Sequence, residues 1–327
     1  MKSNGDKSVL ITGGTGSFGK EFLRKLLVEE KIHRIIIFSR DELKQFELRN
    51  EITSGKVSFV LGDVRDYRRL LQASEGVDFI VHAAAMKQIP AAEANPMEAI
   101  KTNILGAENI VNCAIENKVE KVIALSTDKA ANPANLYGAT KLCSDKLIIA
   151  GNYLTSSSTT KFSVVRYGNV LGSRGSVIPF FKEQARTGKI PITDKRMTRF
   201  WLTLDHGVNL VLKALEIMQG GEIFVPKIPS FRVIDVARIV APGIPTFEIG
   251  IRPGEKLHEV MITEDDSFFT QEFDDFYTIL SPQLHASNVF AKFGISVPEG
   301  FSYRSDTNPV WFTDESFKTL LEKIDLL

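Results

Sequence analysis

Short runs of apolar, mostly β-branched residues alternate along the chain with longer stretches whose apolar positions recur at helical spacing. Ser8-Val9-Leu10-Ile11-Thr12 is a run of strand formers closed off by glycines. Residues 34–38, 56–61, 78–82, 121–125 and 161–166 repeat that pattern. Between them, Phe22, Leu23, Leu26 and Leu27 share one side of a predicted helix, and residues 99–117 and 137–150 read as further helices. Strands that are apolar almost throughout, separated by helices, predict a parallel sheet covered on both faces: a doubly wound α/β fold. Residues 207–218 add a helix and 222–225 a strand. Residues 1–170 and about 205–226 therefore form one doubly wound domain. About 171–204 and 227–327 are left to a smaller unit interleaved with it. Residues 264–327 are the least readable, and the acidic-aromatic stretch 264–277 carries no motif.

Composition narrows the class. The chain has 327 residues, which at roughly 150 residues per domain gives about two domains. Lys+Arg and Asp+Glu both number 40, so no global field favours nucleic acid, and no nucleic-acid partner is expected. Cys113 and Cys143 are the only cysteines. They form no disulfide framework or metal-binding CxxC, and they fit a reducing compartment as small buried apolar side chains. His258 lacks a companion ligand, so no metal is expected, and His82 reads as structural. A short polar N-terminus and the lack of an apolar run of about 18 residues predict no signal peptide and no membrane span. The expectation is a soluble cytoplasmic enzyme.

The first strand ends in Thr12-Gly13-Gly14-Thr15-Gly16-Ser17-Phe18-Gly19 and opens the first helix. Gly13 permits the tight turn, Gly16 lets a pyrophosphate approach the backbone, and Gly19 allows close helix–strand packing. The diphosphate of a dinucleotide would sit on the free N–H groups of the helix N-terminus, with Thr15, Ser17 and Phe18 beside it. The second strand ends in Ser39-Arg40-Asp41. A carboxylate there would bind the ribose of NAD. Arg40 instead offers a fork for the 2′-phosphate of NADP, with Ser39, Asp41 and Lys44 beside it, and NADP is preferred. Asp63 and Val64 are placed against the adenine, and Ala83, Ala84 and Ala85 are small enough for the cofactor to cross their backbone.

Tyr137-Gly138-Ala139-Thr140-Lys141 puts Tyr137 and Lys141 at i and i+4 on one helix face. Ser126-Thr127-Asp128-Lys129 lies upstream, at the C-terminal edge of the fifth strand, where open α/β sheets bind ligands. A phenol of pKa ~10 is a poor base at neutral pH, and a neighbouring ammonium lowers that value. Tyr137 then takes the proton of a substrate alcohol while hydride leaves its carbon. Ser126 or Thr127 hydrogen-bonds the same oxygen.

On this GxxGxxG turn and Thr…YxxxK set, the chain resembles the extended short-chain dehydrogenase/reductase family, with its Rossmann domain and smaller C-terminal substrate domain. Several segments are similar to the nucleotide-sugar 4,6-dehydratases of that family. They are Ser39-Arg40-Asp41-Glu42-Leu43-Lys44-Gln45, Met86-Lys87-Gln88-Ile89-Pro90-Ala91-Ala92-Glu93, Ser126-Thr127-Asp128-Lys129-Ala130, Tyr167-Gly168-Asn169-Val170, Met197-Thr198-Arg199-Phe200-Trp201 and Arg252-Pro253-Gly254-Glu255-Lys256-Leu257-His258-Glu259. They resemble most the C5-inverting branch that acts on UDP-N-acetylglucosamine at the opening of pseudaminic acid synthesis. The likeness runs from about residue 8 to 262.

The resemblance implies a reaction with no net redox change. The C4 alcohol is oxidised, the resulting ketone acidifies C5–H, water is lost across C5–C6, and hydride returns to C6 from a tightly held, recycled NADP. Lys129 would be the C5 base if desolvation and nearby cations depress its pKa, Asp128 the acid for the departing oxygen, and Tyr137 a candidate for protonating C5 from the opposite face. Asn169, with Val170, is implied at the sugar or diphosphate, Arg252 at the diphosphate and Glu255 at the uridine ribose. Lys87, Arg174 and Lys182 are further diphosphate candidates, and Thr198 and Arg199 line the same pocket. A UDP-sugar 4-epimerase shares Tyr137, Lys141 and Thr127 but needs no C5 base, so Asp128-Lys129 argues against it. A non-catalytic NADP-binding sensor would not need both Tyr137 and Lys141. The helices 99–117 and 137–150 are expected to form a four-helix homodimer contact, with a hexamer as the higher assembly.

Overall fold

The computed structural model describes residues 6–154, 159–172, 176–284 and 289–327. The first half alternates strands and helices: β1 (Lys7–Thr12), α1 (Ser17–Leu27), β2 (Ile32–Ser39), α2 (Glu42–Glu51), β3 (Val57–Leu61), α3 (Tyr67–Ala73) and β4 (Phe79–His82). Then come α4 (Ile89–Ala94), α5 (Pro96–Ile100), α6 (Gly106–Glu116), β5 (Lys121–Thr127), α7 (Leu136–Ala150) and β6 (Lys161–Tyr167). The second half runs β7 (Asn169–Val170), α8 (Val177–Ala185), β8 (Ile190–Ile192), β9 (Thr198–Leu202), α9 (Leu204–Ile217), β10 (Glu222–Pro226), β11 (Ser230–Arg232), α10 (Val233–Val240) and β12 (Thr246–Glu248). It closes with β13 (Val260–Ile262), β14 (Thr270–Glu272), β15 (Phe276–Leu280), α11 (Phe290–Phe293), β16 (Ile295–Ser296), β17 (Tyr303–Arg304) and α12 (Asp314–Lys323).

The large sheet has the order β16-β14-β15-β10-β6-β5-β4-β1-β2-β3. From β3 to β10 every pairing is parallel. The order reverses at β1, which sets the crevice at the C-terminal strand ends between β1 and β4 as the binding edge. The pleat divides the strands between two cores. Leu10, Ile36, Ile80, Val122 and Val164 pack with Leu70 of α3, Val111 of α6 and Ile148 of α7. Val9, Ile11, Ile35, Ile37, Val81, Ile123 and Val165 pack on the other face with Phe22 of α1 and Val208 and Val211 of α9. A third core, around Trp201, Phe231 and Phe317, holds the smaller unit and its β11-β9-β7 sheet.

Three local expectations are corrected. Residues 227–327 do not all fall in the smaller unit. The hairpin β14–β15 pairs antiparallel with β10, so part of the unreadable tail completes the large sheet. Its acidic-aromatic sequence has a physical reason: Phe273 and Phe276 stack at 4.8 Å and Phe276 packs on Phe224, while Asp274 and Asp275 face water. The hairpin also covers the hydrogen-bonding edge that β10 would otherwise expose. Second, residues 99–117 do not form one α-helix. A π-helical turn, Lys101–Leu105, separates α5 from α6 and holds the buried Asn103. Third, only Cys113 is buried; Cys143 is exposed, because α7 turns positions 141, 144, 145 and 148 inward and 143 outward.

Candidate active site

The glycine turn is shaped by close backbone approach. Gly13 adopts φ +68°, and a Cβ there would stand 2.8 Å from the Ala84 nitrogen and 2.9 Å from the Ala83 carbonyl. A Cβ on Gly19 would lie 2.4 Å from Gly14 Cα, so α1 seats directly on the turn. Gly16 is the N-cap of α1 and has no side chain to bond the first N–H groups. Gly16 is exposed and Ser17 and Phe18 half-buried, so those donors face the edge of the crevice, as an anion site requires. Thr15 is buried below them, and Phe18 stacks on Phe22. Ala83 and Ala84 are half-buried against Gly13, and Ala85 is exposed. These residues fit a dinucleotide diphosphate.

At the end of β2, buried Ser39 is fixed by Gln45, whose Nε2 donates to Ser39 O at 3.0 Å and Ser39 Oγ at 3.1 Å. Asp41 is the N-cap of α2: its carboxylate accepts the Lys44 N–H at 3.0 Å and pairs with Lys44 Nζ. That engagement leaves Asp41 poorly placed to hold a ribose diol. Arg40 is 67% exposed, and its nearest acidic oxygen, Asp63 Oδ2, is 3.8 Å away. Asp63 is committed to Arg65, at 2.6 Å between Oδ2 and Nη2, and Val64 is buried.

Strand β5 leads into the residues expected to be catalytic. Thr127 caps a short 3₁₀ turn, Asp128–Ala130, and α7 follows it. Thr127 Oγ1 donates to Asp128 Oδ1 at 2.9 Å, and Lys129 Nζ donates to the same oxygen at 2.9 Å. Asp128 is fully buried, and its Oδ2 has no hydrogen-bond partner. The two hydroxyls left open by the sequence are held by different carboxylates. Ser126 Oγ donates to Asp145 Oδ2 at 2.7 Å, whereas Thr127 Oγ1 lies with Asp128 and Lys129. Asp145 is buried; its desolvation, opposed by Arg166 and Lys141, holds it above the usual carboxylate range.

The charges differ from expectation. Burial pushes the Tyr137 phenol up to about 12, and the cation that draws it back most is Lys129. Lys141 is drawn below its usual range by burial, with Asp145 opposing. The Lys129 ammonium is not depressed. Burial does act downward, but the charges of Asp128 and Glu259 outweigh it and hold the group above its ordinary value. Lys129 thus rests as a cation between carboxylates, because the neighbouring cations invoked by the sequence are outnumbered at its Nζ by anions. His82 is buried, donates or accepts at Nδ1 with Thr12 at 2.8 Å, and is pushed down to about 3 by burial, in keeping with a structural role.

The substrate candidates divide. Arg252 pairs with Glu255, whose Oε2 is buried without a partner, and the loop is tied to the start of α7 by Asn135 Nδ2 donating to Gly254 O at 2.7 Å. Asn169 and Val170 are half-buried on β7 beside Trp201 and Leu202. Lys87 is exposed on a loop that Asn103 clamps, accepting from Met86 N at 2.8 Å and donating to Met86 O at 3.0 Å. Thr198 is instead engaged with His258 Nδ1 at 2.8 Å and Ser305 Oγ at 2.7 Å. Arg199 donates to the carbonyls of Thr198, Leu257 and Lys256 at 2.7, 3.1 and 3.0 Å, so it braces the loop 256–259. Lys182 lies in the last turn of α8. Arg174 lies outside the described residues. Sequence reasoning gave no role to Glu259, Lys256 or Asn103. Glu and Lys stood in a quoted motif, but only the fold brings that motif under Lys129.

The fold and this site define an extended short-chain dehydrogenase/reductase. A family model described as "Polysaccharide biosynthesis protein" matches residues 9–281, and the chain belongs to that family. It is 54% identical to "UDP-N-acetylglucosamine 4,6-dehydratase (inverting)" of Campylobacter jejuni, over 98% of this chain and 97% of the relative. It is 45% identical to "UDP-glucose 4-epimerase" of Rickettsia canadensis, over 84% of this chain and 83% of that one. The X-ray structure of Pen from Bacillus thuringiensis superposes with a TM-score of 0.90 at 38% identity, covering 98% of each chain. No helix among the described residues is long and apolar enough to cross a membrane.

Proposed function

We propose that the protein is a UDP-N-acetylglucosamine 4,6-dehydratase that inverts C5 and uses NADP, acting in the cytoplasm at the entry to pseudaminic acid synthesis. The observation that carries this reading is the ion pair of fully buried Asp128 with half-buried Lys129, 2.9 Å apart, at the strand end that also holds Thr127 and leads to Tyr137 and Lys141. An epimerase has no use for such a pair, because it makes and breaks no bond at C5. A bound nicotinamide would supply the hydride acceptor for C4 and the donor for C6.

The protein's own residues handle protons. Tyr137 accepts the C4 hydroxyl proton at its phenolic oxygen, with Thr127 fixing the substrate oxygen. Lys129 and Asp128 share one proton. Its passage from Nζ to the carboxylate yields an amine base and a carboxylic acid together. The amine takes the C5 proton, and the acid protonates the C6 oxygen as it leaves as water. Water exclusion around fully buried Asp128 strengthens these interactions. Asn169, Arg252 and Glu255 are assigned to the sugar nucleotide, and the cofactor is assigned to the glycine turn, Arg40 and the Ala83–Ala84 backbone.

Incubation with UDP-N-acetylglucosamine in heavy water, read by NMR, tests the reading. The expected product is a 4-keto-6-deoxy sugar with inverted C5 carrying deuterium. A C4 epimer formed without loss of water would establish the epimerase instead. No turnover, with NADP bound, would establish a sensor.

Arg40→Ala should weaken NADP binding by about tenfold or more, the loss of one charge-assisted phosphate contact, and leave NAD binding unchanged. Titration of both cofactors by fluorescence measures this, and an unaltered NADP preference refutes the assignment. We further propose a homo-oligomer built through α6 and α7, where Leu105 and Met97 are exposed nearby. Sedimentation of wild type and Leu105→Glu would show dissociation in the variant; identical profiles would refute that contact.

A further inference from the structure

A carboxylate that the proposed chemistry does not use lies behind the Asp128–Lys129 pair. Glu259 is 2% exposed. Its backbone is clamped by the tail: Glu259 N donates to Ser305 Oγ, and Ser305 N donates to Glu259 O, both at 2.9 Å. Its side chain meets three cations. Oε1 is 3.5 Å from Arg199 Nε and 3.7 Å from Lys129 Nζ, and Oε2 is 3.9 Å from Lys256 Nζ. Oε2 is buried and has no hydrogen-bond partner.

Two of the three cations are already anchored elsewhere. Arg199 is held by three carbonyls, and Lys256 Nζ donates to Ala131 O at 2.7 Å. Lys129 differs. Its close partner is Asp128, and in the proposed reaction Asp128 must turn its proton toward the leaving oxygen. The ammonium that forms on Lys129 then needs another anion. An unsatisfied buried carboxylate oxygen is costly, and a native structure that keeps one calls for a reason.

We propose that Glu259 is a positioning residue acting through Lys129: it receives the Lys129 ammonium as the C5 proton is taken. The proton passes from C5 to Nζ, the C5–H electron pair moves into the C4–C5 enolate, and the new charge on Nζ faces Glu259 Oε1. The groups facing Nζ are Asp128, Glu259, Arg199 and Tyr137, with Lys256 beyond Glu259. Of these, Glu259 is the anion that takes no part in moving protons to or from the sugar.

This inference rests on the dehydratase reading, and the test separates the two. Substrate deuterated at C4 or at C5 is turned over by the NADP-loaded wild type, Glu259→Gln and Glu259→Asp. In Glu259→Gln, kcat should fall ten- to a hundredfold, the C5 isotope effect should grow, and the C4 effect should shrink. Glu259→Asp should restore most of the rate. In a Lys129→Ala background, Glu259→Gln should cause no further fall in the single-turnover reduction of NADP. Ser305→Ala, which removes the hydroxyl that accepts from the Glu259 N–H and also bonds Thr198, gives a milder form of the same signature if Glu259→Gln does not fold. A rate loss in Glu259→Gln or Ser305→Ala with both isotope effects unchanged overturns the role of Glu259 while leaving the dehydratase intact. A wild type that forms no dehydrated product overturns the reading beneath it.

Discussion

Tyr137→Phe should lower kcat for dehydration by ~10²–10⁴-fold, the usual worth of a positioned general acid–base group, with NADP still bound. In the proposed mechanism the phenol takes the C4 hydroxyl proton, and phenylalanine keeps its packing. The phenol is pushed up to about 12 by burial, so on its own it holds its proton at neutral pH. Two cations can reverse that. Lys129 already acts in this direction, and a bound nicotinamide would add positive charge. The sign follows: any change that removes the Lys129 charge should raise the Tyr137 pKa further and slow C4 oxidation. Lys129→Ala should therefore lose C5 deuterium exchange entirely and also show slower single-turnover reduction of NADP, whereas Tyr137→Phe should lose that reduction first. Stopped-flow absorbance at the reduced-nicotinamide band measures both. Normal reduction in Tyr137→Phe would remove the phenol from the mechanism.

Gly138→Ala should be as damaging, although Gly138 has no side chain to touch a substrate. A Cβ there would stand 2.2 Å from the Lys129 carbonyl oxygen and 3.1 Å from Pro133 Cβ. The clash is with backbone, so no rotamer relieves it. Either α7 withdraws, taking Tyr137 and Lys141 with it, or the turn carrying Asp128 and Lys129 shifts. Displacements of about 1 Å in a reacting constellation cost on the order of a hundredfold in rate. Overpacking of this kind costs about 1–3 kcal/mol in stability. The expectation is a loss of at least a hundredfold in kcat and a lowered melting temperature. Gly55→Ala, where a Cβ meets nothing within 4 Å, should change neither. Full activity in Gly138→Ala would mean that the approach of helix and turn is not what aligns the two halves of the site.

The parts of the site carried by local pattern were legible in the sequence. Gly13 and Gly19 announce their turn because a side chain at either would strike neighbouring backbone, and Tyr137 and Lys141 share a helix face by spacing alone. The parallel strands were legible because they are buried on both faces. What was hidden depends on chain segments far apart. Nothing near residue 129 shows that Glu259 lies 3.7 Å away. The condition for a lowered Lys129 pKa, cations nearby, is therefore not met: Glu259, brought by the loop 256–259, joins Asp128 in raising it. The aromatic hairpin at 270–280 was hidden for a related reason. Its phenylalanines alternate imperfectly, and its partner strand, β10, lies some fifty residues earlier. The split between Ser126 and Thr127 depended on Asp145, whose inward aim follows from the helix face that Tyr137 and Lys141 already define, and it could have been inferred.

The polypeptide is braided between its two units. It leaves the large sheet after β6 for the β7–β9 strands, returns for β10, departs again for β11 and β12, and comes back as β14, β15 and β16 before its final strand seats Ser305 against the loop 256–259. Such a weave has no single hinge, and no one cut would free an autonomous lobe. Heat should then melt the molecule in one step, and sugar nucleotides would reach the crevice through movement of its rim rather than by the parting of two halves.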